Sequence, residues 1–167
     1  MTRPEITFVR LPDVAPDALM RLMNDPIVRR HLPLARGRFD AAACARFVAA
    51  KEALWAAHGY GPYGFMIGAE LIGWGGLQPE AGDVDLGLVL HPRFWGLGRG
   101  LYERLLAEAF DRLRVASVVV LLPPSRVRTS GLRRLGFVPD GEVQVDGTRF
   151  LRFRRWLPGR PVVGALG

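Results

Sequence analysis

Three consecutive segments constrain the fold more than the rest of the chain. DVDLGLVLHP (83–92) reads as a strand, GRGLYERLLAEAFDRLR (98–114) as an amphipathic helix, and VASVVVLLP (115–123) as a second strand. The last is a continuous β-branched run, the pattern of a strand buried on both faces. Strand, helix and strand at this spacing predict a parallel pair joined by a right-handed crossover. The preceding segments behave differently. PYGFMIGA (62–69) and ELIGWGGLQPE (70–80) lead into 83–92 through the short turns GAEL and EAGD, which predicts an antiparallel meander.

The remainder supplies helices and a hairpin. ITFVRL (6–11) alternates as a first strand. Asp17 is placed to cap a helix whose Leu19, Leu22 and Met23 share one face. Pro26 interrupts, and IVRRHL (27–32) continues as a short helical piece ending at Pro33. Asp40 is the expected N-cap of a long amphipathic helix carrying Phe47, Val48, Leu54 and Trp55, closed by Gly59. SRVRTSGLRRLG (125–136) reads as a helix ending at Gly136, and 137–157 as a hairpin turning at Asp146-Gly147. The tail, 158–167, has no usable pattern. With no repeat, linker or low-complexity segment, residues 1–167 read as one mixed α/β domain.

No apolar run reaches the ~18 residues of a membrane span. MTRPEITFVRL lacks the apolar core of a signal peptide. The single cysteine, Cys44, excludes an internal disulfide. These features favour the cytoplasm. Net charge is +7, and of 23 basic side chains one, Lys51, is a lysine. Either codon bias or attraction to an anion explains that balance. Arginines 126, 128, 133 and 134 cluster, as do 149, 152, 154 and 155, without stacking aromatics in an RNA-binding pattern. An arginine-rich RNA- or ribosome-binding module stays as an alternative, with nucleic acid disfavoured.

Gly96, Gly98 and Gly100 stand where the helix at 98 begins. In a helix interior each costs about 1 kcal/mol against alanine. Bare backbone at a helix N-terminus suits an anion: unpaired N–H groups and the positive end of the dipole converge there, and glycine permits close approach and φ > 0. A tight strand-to-helix turn is the plainer explanation. The G-x-G-x-G spacing and the absence of a following Lys-Ser/Thr exclude the dinucleotide-binding and Walker A patterns.

HPRFWGLGRGLYERLLAEAF (91–110) resembles motif A of the GNAT superfamily of acetyl-CoA-dependent N-acetyltransferases, whose pattern is Q/R-x-x-G-x-G/A heading a helix. Trp95 stands at the Q/R position, with Gly98 and Gly100 as the small residues. Tryptophan there, after His-Pro, is typical of the branch that includes the acetyltransferases of ribosomal-protein N-terminal amines. MNDPIVRRHLP, DLGLVLHP, LRRLGF and a trailing DG extend the resemblance through most of the chain.

The resemblance implies a central, mostly antiparallel twisted sheet of about six to seven strands with a splayed parallel pair and about four flanking helices. It implies acetyl-CoA as cofactor, with main-chain amides of Trp95, Gly96, Leu97, Gly98, Arg99 and Gly100 on its pyrophosphate. The pantetheine arm would add to the strand edge at Leu88, Val89 and Leu90, and the amide beside Leu90 would meet the thioester oxygen. Asp85 falls where the family often has Glu, to accept the amine proton, usually through water, or to orient the substrate; Glu70, Glu80 and His91 are its rivals. Ser125 falls at the family's Asn position, as a catalytic or pantetheine-binding group, and Arg128 three residues on as a phosphate contact. Leu132 stands where many relatives carry a tyrosine acid. The implied partner is a primary amine, a protein N-terminus or a small molecule, with a basic chain disfavouring polycationic aminoglycosides; a homodimer is allowed, a membrane is not. No metal is implied. The missing tyrosine also leaves a catalytically degenerate acyl-CoA-binding domain as an alternative.

Overall fold

A computed structural model describes residues 2–126 and 128–159. Among them the chain forms β1 (Thr7–Arg10), α1 (Pro16–Asn24), α2 (Pro26–Arg30), α3 (Ala41–His58), β2 (Pro62–Ile67), β3 (Glu70–Glu80) and β4 (Asp83–Leu90). Then follow α4 (Gly98–Ala107), β5 (Ser117–Leu122), α5 (Ser130–Arg134), β6 (Val138–Val145) and β7 (Thr148–Trp156). All seven strands join one sheet, ordered β1-β2-β3-β4-β5-β7-β6. Every pairing is antiparallel except β4 with β5. Beyond residue 159 the tail lies outside the described residues.

Alternation along β4 sorts the two faces. Leu86, Leu88 and Leu90 point to the face covered by α4 and α5, with Leu101, Leu105, Phe110, Leu132 and Phe137 in the same core. Val89 points to the other face, packed with Trp74 against Leu19 and Leu22 of α1, Val28 of α2 and Cys44 of α3. Val118, Val119 and Val120 are all buried, as a strand covered on both sides requires.

The local signals act largely as the sequence predicts. Asp25 caps α2 by accepting from Ile27 and Val28 N–H, Asp40 caps α3 through Ala43 N–H, and Gly59 closes it in the left-handed region. Asp146-Gly147, at φ of +49° and +77°, turns the last hairpin. Three expectations fail. Asp17 does not cap α1; the helix starts at Pro16, whose fixed φ suits the first helical position, with Ala15 at the cap. The helix expected over 98–114 ends at Ala107 and continues as a wider π-turn over Glu108–Arg112, which keeps both Ala109 and Phe110 in the core. The helix expected over 125–136 spans only Ser130–Arg134, because Pro123-Pro124 opens a turn that Arg126 N–H closes on Pro123 O. None of Gly96, Gly98 and Gly100 has positive φ. No helix among the described residues is long and apolar enough to cross a membrane.

Candidate active site

The parallel pair β4–β5 has one registered rung, Asp85 opposite Val119; beyond it the two strands part. The closed end is fixed from β7. Arg154 donates to both Asp83 carboxylate oxygens (2.7 and 3.1 Å), to Ser117 Oγ (2.8 Å) and to Asp140 Oδ2 (2.8 Å). One guanidinium thereby ties the starts of β4 and β5 to β6, and its hydrogen bond holds the Asp83 carboxyl below its ordinary range.

At the open end the ladder decides which main-chain groups face the gap. His91 N–H donates to Ile72 O on β3 (2.9 Å). Successive residues alternate, so Leu88 and Leu90 present N–H and C=O toward β5, whereas Val89 faces β3, where it pairs with Trp74. Of the three residues expected to offer a strand edge, only these two do so. The Trp95 indole N–H takes the Leu90 carbonyl at 3.1 Å, leaving the Leu90 N–H directed at the gap.

The segment before α4 is a 3-10 turn over Pro92–Leu97, not an open loop; Pro92 starts it and His91 Nδ1 accepts from Arg93 N–H. Gly98 N–H is spent on Trp95 O. Leu97, at the N-cap of α4, has no acceptor to offer, so the positive end of a ten-residue helix is uncapped by any side chain at Arg99 and Gly100. A β-carbon built on Gly96 or Gly100 would meet nothing within 4 Å, and one on Gly98 only Leu90 Cδ1 at 3.6 Å. The space above this turn is therefore open, and the glycines keep it bare. Arg99 is engaged with Glu103 one turn on.

Asp85 lies on the α3 face, paired across β3 with Gln78. Its Oδ1 is buried and, among the described residues, has no hydrogen-bond partner. Burial, reinforced by Glu80, pushes its carboxyl up to about 7, against the opposing pull of the Leu121 N–H and Lys51. Lys51 reaches from α3 to Gln78 Oε1, its ammonium 5.4 Å from the ring centres of both Phe47 and Trp74. Tyr102 of α4 is within electrostatic reach of Asp85 and Arg126; burial foremost pushes its phenol up to about 12, so it remains a donor at neutral pH.

The other candidates separate. His91 sits 3.6 Å from Asp25, and Glu70 3.6 Å from Arg93, so two of the three rivals of Asp85 are engaged outside the gap; the third, Glu80 at the end of β3, acts on Asp85 as a neighbouring negative charge. Ser125 is exposed and lies 2.9 Å from His31 Nδ1, while Arg126 stands over the Trp95 ring. Ser125 thus belongs to the Trp95 end of the gap. Arg128 is exposed, and Leu132 is buried in the core. Of the arginine clusters, 149, 152 and 154 are ion-paired with Glu142, Asp140 and Asp83, which removes much of the charge an RNA surface would need. Sequence reasoning missed Gln78, Tyr102, His31 and the role of Lys51. Only Lys51 carried a signal, as the sole lysine among so many arginines.

A family model described as "Acetyltransferase (GNAT) domain" matches residues 6–137. Among solved structures, an acetyltransferase from Agrobacterium tumefaciens shares 22% identity at TM-score 0.73, covering 92% of each chain. A ribosomal-protein-S5-alanine acetyltransferase from Vibrio fischeri shares 13% at TM-score 0.74, covering 96% of this chain and 97% of that one. An aminoglycoside acetyltransferase solved in complex with coenzyme A shares 16% at TM-score 0.70, covering 92% and 95%. At such identities the likeness is one of fold.

Proposed function

The chain belongs to the acetyltransferase (GNAT) domain family, and from that premise we propose that it moves an acetyl group from acetyl-coenzyme A directly onto a primary amine. The observation that carries the reading is the one-rung parallel pair opening beside an uncapped helix N-terminus kept bare by glycines. Those features fit the cofactor: amides at Arg99 and Gly100 face its diphosphate, and the Leu88 and Leu90 edge takes its amide-bearing arm. Bound there, acetyl-coenzyme A supplies an activated thioester. The Leu90 N–H donates to the acyl oxygen and stabilises the charge that develops on it. Asp85 would take up the proton of the attacking amine through water, while the N–C bond forms, the C–S bond breaks and coenzyme A leaves as its thiolate. A carboxyl poised near 7 suits that task at neutral pH. We read residues 1–167 as one such domain. Net charge of +7, with Arg29, Arg30 and Arg36 before α3, disfavours a polycationic acceptor and favours a peptide N-terminus, in line with the His-Pro-x-x-Trp segment.

The test is binding first and turnover second. At a hundredfold excess over Kd, coenzyme A raises Tm by ~5–10 °C. Gly98→Glu folds, since its β-carbon makes only an ordinary contact, and abolishes the rise. Acetyl transfer is then measured against alanine- and serine-initiated peptides and against aminoglycosides. An undiminished Tm rise in Gly98→Glu, or no turnover with any amine, contradicts the proposal.

A further inference from the structure

Lys51 is the one lysine in a chain that otherwise uses arginine, and it occupies a place an arginine fits poorly. Its ammonium flanks the edge-to-face pair of Phe47 and Trp74 on the inner side of α3 and is hydrogen-bonded to Gln78. Arginine would bring a planar fork of five donors to a slot that supplies one acceptor. Gln78 is the cross-strand partner of Asp85, so the group that holds the ammonium and the carboxylate stand opposite each other on the sheet face that α3 covers.

We propose that Lys51 is a positioning residue for Asp85: held by Gln78 beside the Phe47–Trp74 pair, it supplies the fixed positive charge that keeps the buried carboxyl able to ionise. This rests on Asp85 as the proton acceptor. The groups facing Asp85 are Lys51 from α3, Glu80 from β3, Tyr102 from α4 and the Leu121 N–H from β5. Glu80 and the low-polarity surroundings oppose ionisation, and Tyr102 stays neutral. Lys51 is the one cation among these groups. The attraction is mutual, since Asp85 and Glu80 both favour the ammonium against the burial that lowers its proton affinity.

The test is a carboxyl-carbon NMR titration of the full chain without ligand, with the Asp85 signal assigned by its loss in Asp85→Asn. In Lys51→Met the Asp85 midpoint rises by about one pH unit. The acidic limb of the pH–rate profile for acetyl transfer moves with it. If Lys51→Met fails to fold, Gln78→Leu, which frees the ammonium without removing it, gives a smaller rise. A midpoint unmoved in a folded Lys51→Met, or in Gln78→Leu where that variant carries the test, overturns the inference and leaves Asp85 as proton acceptor untouched. Wild-type turnover in Asp85→Asn removes the acceptor role, and with it the purpose of Lys51, whatever the titration shows.

Discussion

Asp85 is a carboxyl group that folding makes harder to ionise. Its folded value is about 7, against 3.8 for an unperturbed side chain, with burial as the first cause. The stability it contributes is therefore full below about pH 4 and is lost as pH rises through 7. Asp85→Asn carries no charge at any pH, so thermal denaturation should show its advantage over the wild type growing between about pH 4 and pH 7 and levelling off above. The full displacement corresponds to roughly 4 kcal/mol. A pH-independent difference would contradict the burial argument. At this scale the sequence was only partly readable. Asp85 was found through its motif, but Lys51 and Gln78 stand 34 and 7 residues away along the chain, and only the packing of α3 on β3 brings them to it.

The elements show how one residue type serves opposite ends. β3 carries Gly73 and Gly75, where a β-carbon would run into the main-chain carbonyls of Val89 and Gly87 on β4. At the start of α4, Gly100 has open space and an ordinary helical φ. Alanine should therefore act with opposite signs. Gly75→Ala forces the strands apart and costs ~2–4 kcal/mol, whereas Gly100→Ala gains up to ~1 kcal/mol. Urea midpoints read both, and two changes of the same sign would refute the contrast. Strands, the Asp40 cap and Gly59 stop of α3 and the Asp-Gly turn were legible because their signals are local. The end of α4 and the shortness of α5 were not: core packing of Phe110 decided the first and a proline turn the second. The purpose of the β3 glycines depends on register against β4, which no window of sequence contains.

In the whole molecule the sheet is continuous, yet one rung joins β4 to β5. Hydrogen exchange should find the amides of Leu88 and Leu90 less protected than those of the β3–β4 ladder, and coenzyme A should slow them more than the rest of β4. Uniform protection would count against the gap as the binding place. The meander and the parallel crossover were predictable, since each follows from periodicity and connection length. The insertion of β7 between β5 and β6 was not visible, because a hairpin's sequence does not say which of its arms joins the sheet.

Arg154 gives this architecture a pivot. The divergence of β4 from β5 behaves like a pair of shears riveted at Asp83 and Ser117, with the blades' angle set at the rivet and not where they cut. Loss of that guanidinium would release the starts of both blades from β6 while leaving the Leu88 and Leu90 edge chemically unchanged.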